Sequence, residues 1–146
     1  MLERETLMAE LWSRIRSTPG VVYTARNPSQ VPSAEQLPAI QMFEMPDTVE
    51  KQDSRGGLPI YHRSLIVVVE SFINATSEPA ASKEITAFVD QVKKVIYSGG
   101  PTLGGKAKLI RETEASRVLR PKMGENIVGL GIVFAIQYIE NVANIT

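Results

Sequence analysis

Apolar positions near the start of the chain recur at spacings of three and four. Met8, Leu11, Trp12 and Ile15 therefore share one side of a predicted helix. Glu3, Glu5 and Glu10 lie toward its start and Arg14 and Arg16 toward its end, which suits the helix dipole. Pro19-Gly20 stops it. Val21 to Ala25 is β-branched and aromatic and reads as a short strand. Asn27 to Ser33 is polar, holds two prolines and reads as a surface loop. Leu37 to Glu44 reads as a second strand, ended by Pro46. Residues 46–59 are charged, contain glycine and lack helical periodicity, so they form either a long β-hairpin excursion or a long exposed loop.

The pattern changes at Ile60 to Asn74. Leu65, Val67 and Val69 point one way, and Ile66, Val68 and Phe72 the other. Two apolar faces predict a central strand covered on both sides. After Thr76 to Pro79, Ser82 is placed to cap a second helix with Glu84 in its first turn. Ile85, Phe88, Val89, Val92 and Ile96 form its apolar stripe. Gly99-Gly100 end it. Lys106 to Val118 reads as a strand, Arg120 to Asn126 as a turn and Ile127 to Glu140 as a long last strand. In that last strand Leu130, Ile132, Phe134, Ile136 and Tyr138 share one face. Gly129, Gly131, Val133, Ala135 and Gln137 share the other, where small residues predict a close approach. The order α-β-β-β-α-β-β is α+β: a mostly antiparallel sheet of four to five strands flanked by two main helices. It fits one domain over residues 1–146, with a long exposed loop at 46–59.

Composition narrows the function. Hydrophobic residues make up 43% of the 146 and charged residues 22%, so a real core is expected rather than disorder. Sixteen basic residues balance sixteen acidic ones, without the cationic surplus that nonspecific nucleic-acid binding needs. The chain has no cysteine, which excludes disulfides, thiolate metal sites and cysteine nucleophiles. The charged first residues lack the apolar stretch of an export signal, and no apolar run is long enough for a membrane span.

Candidate chemistry is thin. Gly100 to Ala107 nearly spells a phosphate-binding loop, but Ala107 stands where a magnesium-binding hydroxyl is required. The segment also follows a helix and precedes a strand, the reverse of what phosphate binding at a helix N-terminus needs. His62 is the single histidine and has no evident nucleophile or co-ligand beside it. Glu112 and Glu114 share a face in a regular strand and could pair as carboxylates; solvated or salt-bridged side chains are the plainer reading. No catalytic, cofactor-binding or metal-ligating set emerges, so the chain is read as a non-enzyme without cofactors.

A family resemblance enters with the second half. Gly57-Leu58-Pro59-Ile60-Tyr61-His62-Arg63 leads into the apolar strand, the helix from Ser82 to Ile96, and Leu103-Gly104-Gly105-Lys106-Ala107. An Arg/Glu-rich strand and Gly131 to Tyr138 follow. This succession resembles the tail terminator proteins of tailed bacteriophages, the family of the phage lambda minor tail protein U. The resemblance implies a structural virion protein. It would form a homohexameric ring that caps the tail tube, ends its polymerisation and offers a docking surface to the neck or head-completion proteins. In contractile tails the ring would also meet the sheath. DNA would be met only in passage through the lumen, and no membrane is involved. The expected location is the tube–neck junction of the virion, after assembly in the host cytoplasm. Another head–tail connector, a head-closure or neck protein, is the alternative. A small enzyme using Glu112, Glu114 or His62 and an adaptor binding through its sheet edge are the readings from other classes.

Within the terminator reading, Glu50, Lys51, Asp53 and Arg55 are candidate subunit or tube contacts, because mixed charges can set the register between identical subunits. Arg111, Arg117, Arg120 and Lys122 form a basic stretch that would face the lumen or an acidic partner.

Overall fold

The computed structural model describes residues 3–115 and 126–144. Helix α1 (Glu3–Arg16) leads to strand β1 (Tyr23–Arg26), then β2 (Ala39–Glu44), β3 (Thr48–Arg55) and β4 (Leu58–Asn74). Helix α2 (Ala81–Ile96), β5 (Leu109–Ala115) and β6 (Ile127–Asn141) complete the order. The class is α+β as read, with a mixed sheet of six strands. The strand beyond the expected four or five is β3, which occupies most of the segment whose reading stood between hairpin and loop. It pairs antiparallel with β4 across the turn Gly56-Gly57, both at positive φ. Glycine carries that backbone without a Cβ penalty.

Sheet order is β1-β2-β4-β6-β5, with β3 paired to β4 off this path. β2 meets residues 67–72 of β4 and β3 meets residues 58–64. β6 pairs with 60–74, so β2 and β3 lie end to end along the opposite edge of β4. Only β1 and β2 are parallel. The ladder between them begins at Tyr23 and Ala39, later than the expected strand starts, because Pro38 has no N–H to donate. Its carbonyl instead accepts from Val22.

Both helices cover the same face. Leu7, Met8, Leu11 and Ile15 of α1 and Ile85, Val89, Val92 and Ile96 of α2 are buried against Met42, Leu65, Val67, Val69, Ile132, Phe134 and Ile136. Each such aliphatic side chain contributes roughly 1.5–3 kcal/mol. This two-layer arrangement corrects one expectation. β4 is central in the sheet, and Phe72 on its second face is buried, but Ile66 and Val68 on that face are only half-buried, and no described α-helix lies over them. Their shielding comes from cross-strand neighbours.

Two further differences are local. Ser82 lies inside α2, which starts at Ala81 with Ala80 at the cap position. The Ser77 hydroxyl instead accepts from the Ala80 amide at 3.3 Å. Glu84 accepts from the amide and hydroxyl of Thr76, and these bonds hold its carboxyl below the usual range. At the other end of α2, Arg14 of α1 donates to the carbonyls of Ile96 at 2.9 Å and Ser98 at 2.6 Å. A cation there meets the negative end of the helix.

Candidate assembly surface

β4 has 17 residues and at about 3.3 Å per residue runs roughly 56 Å. α2 has 16 residues and at 1.5 Å per residue runs only about 24 Å. The helices therefore cannot cover the whole strand. The uncovered portion is the β3–β4 hairpin, an arm whose outer strand is exposed along residues 50–54. Among the described strands β3 pairs with β4 alone, so half of its backbone groups face outward along an edge that no other described strand occupies.

The root of the arm is tied to the core by part-buried charge. Glu44, the last residue of β2, accepts from Arg4 at 3.0 Å, from Arg26 at 2.8 and 3.0 Å and from the Asn27 side chain at 2.6 Å. Asp47, at the start of the arm, accepts from Arg4 at 3.2 Å and from the Tyr138 hydroxyl. Arg26 reaches back to Glu5 of α1 with two bonds of 3.0 Å. The Arg26 bonds hold the Glu44 carboxyl down to about 2, against an ordinary 4.5. Burial, and then the carboxylate of Asp47, push the Tyr138 phenol well above its usual range. At neutral pH Glu44 is thus held ionised and Tyr138 neutral.

Beyond the root, Lys51 and Asp53 lie 3.6 Å apart, and Asp53 meets His62 Nε2 at 2.9 Å. A bulge between Val49 and Lys51 leaves Glu50 out of the ladder. Gln137 Nε2 donates to Glu50 at 3.5 Å. Glu50, Lys51, His62, Arg63, Lys108, Gln137 and Tyr138 line a cleft of about 170 Å³ at the base of the arm. The structure therefore brings together three of the four candidate contacts, Glu50, Lys51 and Asp53. Arg55 ends β3 opposite Leu58, and its side chain lies outside the described set. Of the basic stretch, Arg111 is exposed on β5; Arg117, Arg120 and Lys122 lie outside the described residues.

The remaining candidates separate. Glu112 pairs in register with Phe134 and Glu114 with Val133, because a bulge intervenes. The two carboxylates consequently sit on opposite faces, and the shared face expected from strict alternation is lost. Glu112 bridges Lys93 of α2 at 3.0 Å. Residues 101–106 form turns between α2 and β5, and Leu103 plugs the core from them. Among the described residues no three His, Cys, Asp or Glu side chains group as a metal site. No described helix is long and apolar enough to cross a membrane.

The root network was missed in the sequence because its members are far apart, such as Arg4 and Asp47. One signal was present: Arg4 stands in the first turn of α1, where the dipole disfavours a cation, so an acidic partner elsewhere was implied.

No protein-family model matches the chain, and no curated protein does. Among solved structures it is similar to a chain in the virion of a native gene transfer agent particle. The identity is 13% and the TM-score 0.40, over 92% of this chain and 94% of that one. A similarity this slight transfers no role.

Proposed function

We propose that this chain is a structural virion protein, the terminator of a phage-like tail. Copies assemble as a closed homohexameric ring that caps the tail tube, ends its growth and receives the neck. The observation that carries the reading is the arm, held rigidly at its root and unpaired along its outer edge. The order of elements resembling tail terminators supports it from the sequence side. A cyclic ring needs heterologous contacts, in which one patch meets a different patch on the next copy. The arm supplies such a patch: a free strand edge for backbone pairing, with Glu50, Lys51 and Asp53 to set register. Work of this kind needs shape and stiffness, and no reacting group.

The test is electron microscopy of tail tubes polymerised with and without the protein. Tubes of limited length bearing a ring at one end are expected. A double variant, Lys51→Glu with Asp53→Lys, should stay folded and lose the ring. Tubes of the same length distribution with and without the wild-type protein would overturn the reading. Rings that bind the portal or neck complex and ignore the tube would point to a head-closure or neck protein instead.

A further inference from the structure

The face of the sheet away from the helices carries Glu70 and, on β5, Arg111 and the exposed Glu114, which is level with Val133. Glu70 sits near the centre of that face, half-buried, beside Val68, Phe72 and Gln41. Its carboxylate makes no hydrogen bond or ion pair with any described residue, and burial alone pushes it above the usual carboxylate range. A desolvated carboxylate without a partner is costly. Arg111 lies on the same face of β5, opposite Ala135, exposed and likewise without a described partner. The surface between them is apolar: Val133, Ala135, Ile66 and Val68.

The register fixes how these groups are arranged. Glu70 is level with Gly131 of β6, and Arg111 is level with Ala135. They are therefore separated by four residues along the strand, about 13 Å, and by two strand spacings, about 10 Å. Their midpoint falls on Val133.

We propose that this face is a self-complementary interface, on which a second copy of the chain docks about a two-fold axis over Val133. With the axis perpendicular to the Glu70–Arg111 line, each Glu70 meets the other copy's Arg111, and Val133 meets Val133. Strands of the two copies then cross at roughly 70°, near the orthogonal class of sheet packing. Face-to-face sheets stand about 10 Å apart, a gap that an extended arginine and a glutamate span together. The contact is isologous, unlike the heterologous contacts of a ring, so it does not rest on the terminator reading.

Sedimentation velocity on the full chain tests it. Wild type should dimerise. Glu70→Arg and Arg111→Glu should each weaken the dimer by roughly tenfold or more, and the double exchange should restore it. Val133→Cys, in a chain with no native cysteine, should be captured as a covalent dimer by a bis-maleimide spanning about 10 Å. Urea unfolding of each variant separates lost association from lost folding. A wild type that stays monomeric up to about 100 μM, or a dimer indifferent to the charge variants, overturns the proposal. So does a double exchange that fails to restore association in folded protein. Hexamers unaffected by these variants would sink this interface and leave the ring reading standing.

Discussion

Glu44→Gln is the most informative single perturbation of the fold, because four donor bonds converge on that carboxylate. Its carboxyl lies at about 2 in the folded protein, against an ordinary 4.5, with Arg26 as the leading cause. At about 1.4 kcal/mol per pH unit the gap corresponds to at most about 3 kcal/mol. Side chains of Arg4 and Arg26 keep 33% and 28% of their surface in water. Screening by that water reduces the expected contribution to about 1–2 kcal/mol. The folded value lies below the unfolded one, so between the two the unfolded chain binds more protons and stability rises with pH. The contribution is complete above about pH 4.5 and is lost as pH falls toward 2. Urea unfolding of wild type and variant at a series of pH values measures it. At pH 7 the variant should be less stable by about 1–2 kcal/mol. That difference should shrink steadily below pH 4.5 as the unfolded wild-type chain takes up the proton that the folded one resists. Other carboxylates titrate in both proteins and largely cancel. A difference that persists unchanged at low pH, or is absent at neutral pH, would refute the assignment of Glu44 as the electrostatic centre of the root.

Two other substitutions test packing and capping. A Cβ added at Gly129 would fall 2.6 Å from the Phe72 ring, so Gly129→Ala should cost about 1–3 kcal/mol in chemical denaturation, through overpacking. Arg14→Ala should destabilise by about 1–2 kcal/mol, since two carbonyls at the end of α2 lose a charged donor. Amide exchange at Tyr97, Ser98 and Gly100 should quicken more than in the first turn of that helix.

What could be read from the sequence was whatever is periodic. The stripe of α2 is buried except for the partly buried Phe88, and β6 turns Ile132, Phe134, Ile136 and Tyr138 to the core as read, although Gly129, Gly131 and Ala135 on its other face are buried too. Gly129 also met its expectation of a close approach, since the Phe72 ring lies over it from the neighbouring strand. Properties that depend on pairing were not visible. β3 is so polar that neither face announces burial; only its ladder with β4 makes it a strand. The bulge that parts Glu112 from Glu114 inserts one residue at Thr113 and inverts the alternation after it, with no residue type to mark it. Two-sided coverage of β4 was inferred from apolar side chains at Ile66, Val68 and Phe72, of which only Phe72 is buried. In a two-layer protein that same pattern marks a face left open.

The open face and the arm have one cause. Both helices pack on a single side, and at 14 and 16 residues each is far shorter than the 17-residue β4. That leaves the reverse of the sheet and the outer hairpin without a layer of their own. The two surfaces differ in kind. The arm is charged, free at its edge and fixed at its root by Glu44 and Asp47, which suits directional contacts between successive subunits. The open face is largely apolar and carries Glu70 and Arg111 placed symmetrically about Val133, with Glu114 exposed on β5, which suits a closed pair. Loosening the root should therefore impair the first kind of association and spare the second. Glu44→Gln, examined for dimerisation and for ring formation at neutral pH, separates the two: equal loss of both would show that the arm and the open face are not independent surfaces.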